Sequence, residues 1–173
     1  MSQTPGKPSS NHDPEGGRRL IGDRIRTMPS TFHSLHAHVI FSTKNRHPYL
    51  NEAIIGRTHE YLGGILRGLD AEPLAIGGIE DHVHLLIGHK TNHRISDIVR
   101  EVKKSSTQWI RDIHPQFSWQ EGYGVFSVSP ERLNVVSKYI GKQHEHHQKK
   151  SFREEYIELL KFAKIDFDEK LLL

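Results

Sequence analysis

The segments EPLAIGGI (72–79) and HVHLLIG (82–88) are two strand-like apolar runs separated only by Glu80 and Asp81. So short a connection leaves no room for a crossover, so these runs must pair as neighbouring antiparallel strands. Upstream, LHAHVIFS (35–42) is β-branched and aromatic enough for a strand, and Lys44 to Pro48 breaks it. Between these strands lies a predicted helix over 51–69, where Ile54, Ile55, Tyr61, Leu62, Ile65, Leu66 and Leu69 recur near the 3.6 period. Asn51 is its candidate cap and Gly63-Gly64 its weak point. A second helix is predicted over 95–113, with Ile98, Val102, Trp109 and Ile110 as its apolar stripe and Pro115 as its stop. Residues 122–128 read as a further strand. Ser129-Pro130 opens a third helix, and 151–162 a fourth, with Ser151 and Glu154 spaced as a capping box. The order is βαββαβ followed by helices. That is an α+β, ferredoxin-like (split βαβ) antiparallel sheet with helices on one face, plus C-terminal helices.

Of the 173 residues, none is Cys, which excludes disulfides, thiolate catalysis and Cys-based zinc sites. Any metal must be held by His, carboxylate or amide groups. The 14 His equal the 2 Trp, 5 Tyr and 7 Phe together, an excess that requires explanation. Net charge is +3, with the middle of the chain basic and the tail acidic, which permits nucleic-acid binding without demanding it. No apolar run is long enough for a membrane span and no secretory signal is apparent, so a cytoplasmic protein with no membrane partner is expected. Residues 1–28 are rich in Pro, Gly, Ser and charge and are expected to be a flexible extension. One domain is expected over 29–173, and Met28 is a candidate start.

Within the third strand, His82-Val83-His84 puts two imidazoles on one face, because strand side chains alternate with period 2. Both could reach one divalent ion, or could simply be hydrogen-bonded at a sheet surface. A second pair, His36-Ala37-His38, offers the same choice. The third helix separates them. Tyr139 and Gln143 are spaced i, i+4 and so share one helical face, beside an apolar stripe of Leu133, Val136 and Ile140. A tyrosine close to a metal held by two His and an amide oxygen could attack a phosphodiester.

These blocks resemble the IS200/IS605-type single-tyrosine transposases of the HUH endonuclease superfamily. The similarity runs through SLHAHVIFSTKNRHPYL, GGIEDHVHLLIG, ISDIVREVKKSSTQWI, WQEGYGVFSVS and YIGKQHEHHQKKSFREEYIELLKFAKIDFDE, with DHVHLL and YIxxQ as its most specific parts. The resemblance implies His82, His84 and Gln143 as metal ligands, Mg²⁺ or Mn²⁺ as cofactor and Tyr139 as nucleophile. It further implies single-stranded DNA cleaved and rejoined at the ends of an insertion sequence through a 5′-phosphotyrosine link, subterminal DNA hairpins as partners, a homodimer, and no nucleotide cofactor.

Lys44 and Arg46, and Lys103, Lys104, Ser105 and Ser106 on the second helix, are candidate phosphate contacts, or else part of a solvated basic face. Trp119, Tyr123 and Phe126 could stack on unpaired bases or fill the core. Asp81 could orient a ligand imidazole or cap its turn. His144 could approach the metal, although a polar helix end suits His144, His146 and His147 better. Two competitors remain. Histidine-triad nucleotide hydrolases begin their motif like HVHLL, but the third His position here is Leu86. A domesticated relative that binds hairpins without transposing would keep the fold; the presence of His82, His84, Tyr139 and Gln143 argues against lost cleavage but not against lost mobility.

Overall fold

The computed structural model describes residues 31–169 and Leu172, and the expected extension 1–28 lies outside them. The order βαββαβ holds as expected. Strand β1 spans Leu35–Ser42, helix α1 Ile55–Gly68, β2 Glu72–Ile79, β3 His82–His89, α2 Ile95–Arg111 and β4 Gly124–Ser127. The four strands form one antiparallel sheet in the order β2-β3-β1-β4, so β3 and β1 are central.

Alternation sorts these two strands cleanly. Ala37, Val39 and Phe41 of β1 and Val83, Leu85 and Ile87 of β3 face α1 and α2, where they meet Leu62, Leu66, Val99, Val102 and Ile110 in the main core. Each such buried side chain contributes about 1.5–3 kcal/mol relative to exposure. The intervening residues, His38, Ile40, His82, His84 and Leu86, line the opposite face and are also buried. That face is covered by the C-terminal helices α3 (Leu133–Gly141), α4 (Gln143–His147) and α5 (Phe152–Phe162).

Boundaries differ from expectation where side chains redirect the backbone. Helix α1 starts at Ile55 because Asn51 closes a turn instead, its Oδ1 accepting from the Ala53 amide at 3.1 Å. Strand β4 starts at Gly124 because Gly122 adopts φ 79, outside the strand region. The third helix begins as a short 3₁₀ turn over Pro130–Arg132, and Ser129 makes no side-chain cap. It then breaks at Lys142 (φ −107, ψ 17), so Tyr139 and Gln143 lie on two successive helices rather than on one. The capping box at Ser151 forms as expected: its side chain accepts from the Glu154 amide, and Glu154 accepts in return from the Ser151 amide. Among the described residues no helix is long and apolar enough to cross a membrane.

Candidate metal centre and nucleophile

The predicted imidazole pair stands where β3 is most enclosed, with both His82 and His84 fully buried. Each ring is fixed by a partner at Nδ1. His82 Nδ1 lies 2.7 Å from Asp81 Oδ1, and His84 Nδ1 lies 2.9 Å from His38 Nε2. Holding one ring nitrogen this way sets the orientation of the other, the usual support for a metal-ligating imidazole. His82 Nε2 then meets Gln143 Oε1 at 3.2 Å, whereas His84 Nε2 has no hydrogen-bond partner.

The helices reach this face because two strand positions lack side chains. Gly77, paired with His84 across β2 and β3, sits under the end of α3, and a Cβ there would lie 2.3 Å from the Ile140 carbonyl oxygen. Gly124 plays the same part under α5, where a Cβ would lie 2.7 Å from the Tyr156 ring. Helix α5, started by its capping box, turns Phe152, Glu155 and Tyr156 to the sheet at i, i+3 and i+4. Phe152 stacks on His82 with ring centroids 4.4 Å apart.

Glu155 is thereby carried into the centre of the site, 2% exposed. Its Oε1 accepts from the Tyr139 hydroxyl and, at 2.9 Å, from Gln143 Nε2. Its Oε2 faces three imidazoles, at 3.1 Å from His147 Nε2, 3.6 Å from His84 Nε2 and 3.9 Å from His82 Nε2. His82, His84, His147 and Glu155 each offer a ligand atom, all within 4.8 Å of one another. The Tyr139 ring lies edge-on to His84, His38 and His146.

Electrostatics follow the burial. Loss of water, then the neighbouring His84, lowers the His38 pKa to about 3. Burial lowers His84 to about 4 against the pull of Glu155. For His147 burial acts downward, but the Glu155 carboxylate outweighs it and raises the pKa. Burial would raise Glu155, yet a hydrogen bond from His147 and the nearby His84 imidazole hold it below the usual carboxylate range. Burial, reinforced by Glu155, pushes the Tyr139 phenol above its ordinary value, so the hydroxyl keeps its proton at neutral pH.

The structure thus gathers His82, His84, Tyr139, Gln143 and Asp81 into one place. Sequence reasoning missed Glu155 and His147, and left His38 open between metal ligand and hydrogen-bonded residue; the structure places it behind His84, against Nδ1. A signal for Glu155 existed: it is a carboxylate inside the apolar stripe Phe152, Tyr156, Leu160. His144, the other histidine weighed for the metal, is exposed on α4.

The basic candidates lie elsewhere. Lys44 and Arg46 are exposed in a 3₁₀ turn after β1, and Lys104 is exposed on α2. Lys103 is instead folded back, its Nζ donating to the Gln120 and Gly122 carbonyls, and burial lowers its pKa to about 8. Ser105 is half-buried. Ser106 corrects the expectation of a phosphate contact: it is fully buried, donates to the Val102 carbonyl at 2.6 Å and accepts from Trp119 Nε1 at 2.8 Å. Trp119 takes the core alternative, edge-on to Phe41 and Phe117. Phe126 is half-buried and Tyr123 exposed.

Comparison with known proteins places the chain among transposases. The chain is 28% identical over 125 residues to the ISDra2 transposase TnpA of Deinococcus radiodurans, covering 65% of this chain and 86% of that protein. A crystal structure of a Deinococcus radiodurans R1 protein described as a transposase matches with a TM-score of 0.56 and 26% identity, over 69% of this chain and 98% of that one. A REP-associated tyrosine transposase bound to a REP hairpin shares the fold, with a TM-score of 0.54, 16% identity and coverage of 69% and 74%. The model of the family described as "Transposase IS200 like" matches residues 31–143, well over half of the chain, and the chain belongs to this IS200-like transposase family.

Proposed function

We propose that this transposase cleaves and rejoins single-stranded DNA at the ends of an insertion sequence through a 5′-phosphotyrosine intermediate, with Tyr139 as nucleophile. The observation that carries this reading is the Tyr139 hydroxyl bonded to Glu155 beside the His82–His84 pair. Attack forms the bond from Tyr139 Oη to phosphorus and breaks the bond to the 3′ oxygen, which takes up a proton and leaves as a 3′-OH. Because the phenol is protonated at neutral pH, its proton must leave as attack proceeds, and Glu155 Oε1 is the acceptor already within reach. Rejoining reverses the step with another 3′-OH and needs no ATP, since one phosphodiester is exchanged for another.

The residues fit a divalent cation, for which the resemblance alone implies Mg²⁺ or Mn²⁺. His84 Nε2 is a buried nitrogen without a partner, and Gln143 Oε1 points at His82 Nε2. His82, His84 and Gln143 would hold the ion, whose chemistry is to polarise the scissile phosphate. Exposed Lys44, Arg46 and Lys104 would contact the DNA backbone. That the REP-associated neighbour is bound to a hairpin supports hairpin DNA as partner. A homodimer and cytoplasmic location belong to the same reading. Its working unit is 29–173, since the site's residues run from His38 to Glu155.

The test is a denaturing gel of the purified protein with Mn²⁺ and single-stranded oligonucleotides from its element's ends. A covalent adduct is expected, absent in Tyr139→Phe and after chelation. An adduct formed by Tyr139→Phe would overturn the nucleophile assignment.

A further inference from the structure

We propose that the ion site of this chain is completed by Glu155 and His147, from the segment beyond the family-matched region, and that this nitrogen-rich donor set selects a transition ion over Mg²⁺. The inference rests on the reading that His82 and His84 hold an ion. It adds two ligands to His82, His84 and Gln143, both from residues past the end of the family-model match at 143.

Three imidazoles are arranged alike. Nδ1 is engaged at the periphery in each: His82 by Asp81, His84 by His38, and His147 by the Lys150 carbonyl at 2.8 Å. The three Nε2 atoms therefore converge, and Glu155 Oε2 faces all of them. Four donors about 2.1 Å from one tetrahedral ion lie roughly 3.4 Å apart, so a cluster within 4.8 Å needs to close by about 1.4 Å at its widest. His84 Nε2 points into this space with no hydrogen-bond partner, which a merely structural polar cluster would leave as an uncompensated cost. A carboxylate this buried also calls for a cationic partner.

The donor types decide which ion. Mg²⁺ takes oxygen ligands and gives up its waters reluctantly. Imidazole suits the later first-row ions, whose affinity for nitrogen sites rises along the series from Mn²⁺. Three imidazoles around one carboxylate therefore favour ions such as Co²⁺ or Zn²⁺.

Titrating the full chain with Co²⁺ and following its visible absorption bands tests this. One ion per chain is expected, with bands that persist in millimolar Mg²⁺. Glu155→Gln and His147→Asn should each weaken Co²⁺ affinity about tenfold or more and shift the bands, while exposed His144→Ala changes neither. Circular dichroism checks folding; if Glu155→Gln unfolds, His147→Asn carries the comparison. Wild-type affinity and bands in the folded variants, or displacement of Co²⁺ by millimolar Mg²⁺, would overturn the proposal while leaving His82 and His84 as ligands. If His82→Ala and His84→Ala also bind Co²⁺ normally, the metal site of the proposed function fails instead.

Discussion

His38 Nε2 and His84 Nδ1 face each other at 2.9 Å across the β1–β3 pair, so one H-x-H motif of this chain orients the other. The second motif, ambiguous in sequence, is a support for the first. His38→Leu should therefore weaken divalent-ion binding by about tenfold without unfolding the chain, and His38→Gln, which can still hydrogen-bond, should recover most of it. Calorimetric titration with Mn²⁺ measures both. Equal affinities in the two variants would show that the contact does not orient His84.

Gly77→Ala tests the approach of α3 to the sheet. A methyl group 2.3 Å from the Ile140 carbonyl must push the helix away. The expected cost is about 1–3 kcal/mol of stability in urea denaturation, the usual range for overpacking. Adduct formation should fall further than stability alone explains, because Tyr139 precedes Ile140 on the displaced helix.

Acid should destabilise the fold through the site. His38 and His84 have folded pKa values near 3 and 4 against 6.5 when unfolded. The unfolded chain therefore takes up protons below pH 6.5 that the folded chain refuses. Their contribution is fully present above pH 6.5 and is lost as pH falls from there through about 4 for His84 and about 3 for His38. Glu155, held below its ordinary value, adds a loss of the same sign below pH 4.5. His147, whose pKa is raised, acts oppositely, contributing below pH 6.5 and losing its share as pH rises through its folded value. Urea midpoints measured from pH 7 to 4.5 should fall, and His38→Leu should flatten the slope; an unchanged slope would refute the assignment.

Ser106 and Lys104, neighbours on α2, should separate stability from DNA binding. Ser106→Ala leaves the Trp119 indole N–H unpaired in the core and should cost about 1–3 kcal/mol, with DNA affinity of the folded protein unchanged. Lys104→Ala, Lys44→Ala and Arg46→Ala should leave stability nearly intact and each reduce the salt slope of single-stranded DNA binding by about one. Fluorescence anisotropy at several salt concentrations provides the check.

What the sequence displayed was local. The turn at Glu80-Asp81, the alternation in β1 and β3 and the capping box at Ser151 are set by adjacent residues, and each formed where periodicity and cap chemistry placed it. The break at Lys142 was hidden because KYIGKQ contains no proline and its one glycine lies in the last turn of α3. Glu155, marked only as a carboxylate inside an apolar stripe, and His147 could not be assigned to the site for a different reason. Their partners on β3 lie more than sixty residues upstream, and only packing of α5 on the far face of the sheet unites them. Lys103 and Ser106 read as a basic face from composition, but the loop carrying Trp119, Gln120 and Gly122 folds over them.

The alternation of β3 has a consequence for assembly of the sheet. A slip of one residue against β1 would exchange its two faces, sending Val83 and Leu85 toward Glu155 and burying His82 and His84 among the aliphatic side chains under α1 and α2. The imidazoles thus act as a register lock. The same two residues that would hold the ion make every odd-numbered misalignment of the central strand expensive, which favours the register that builds the site.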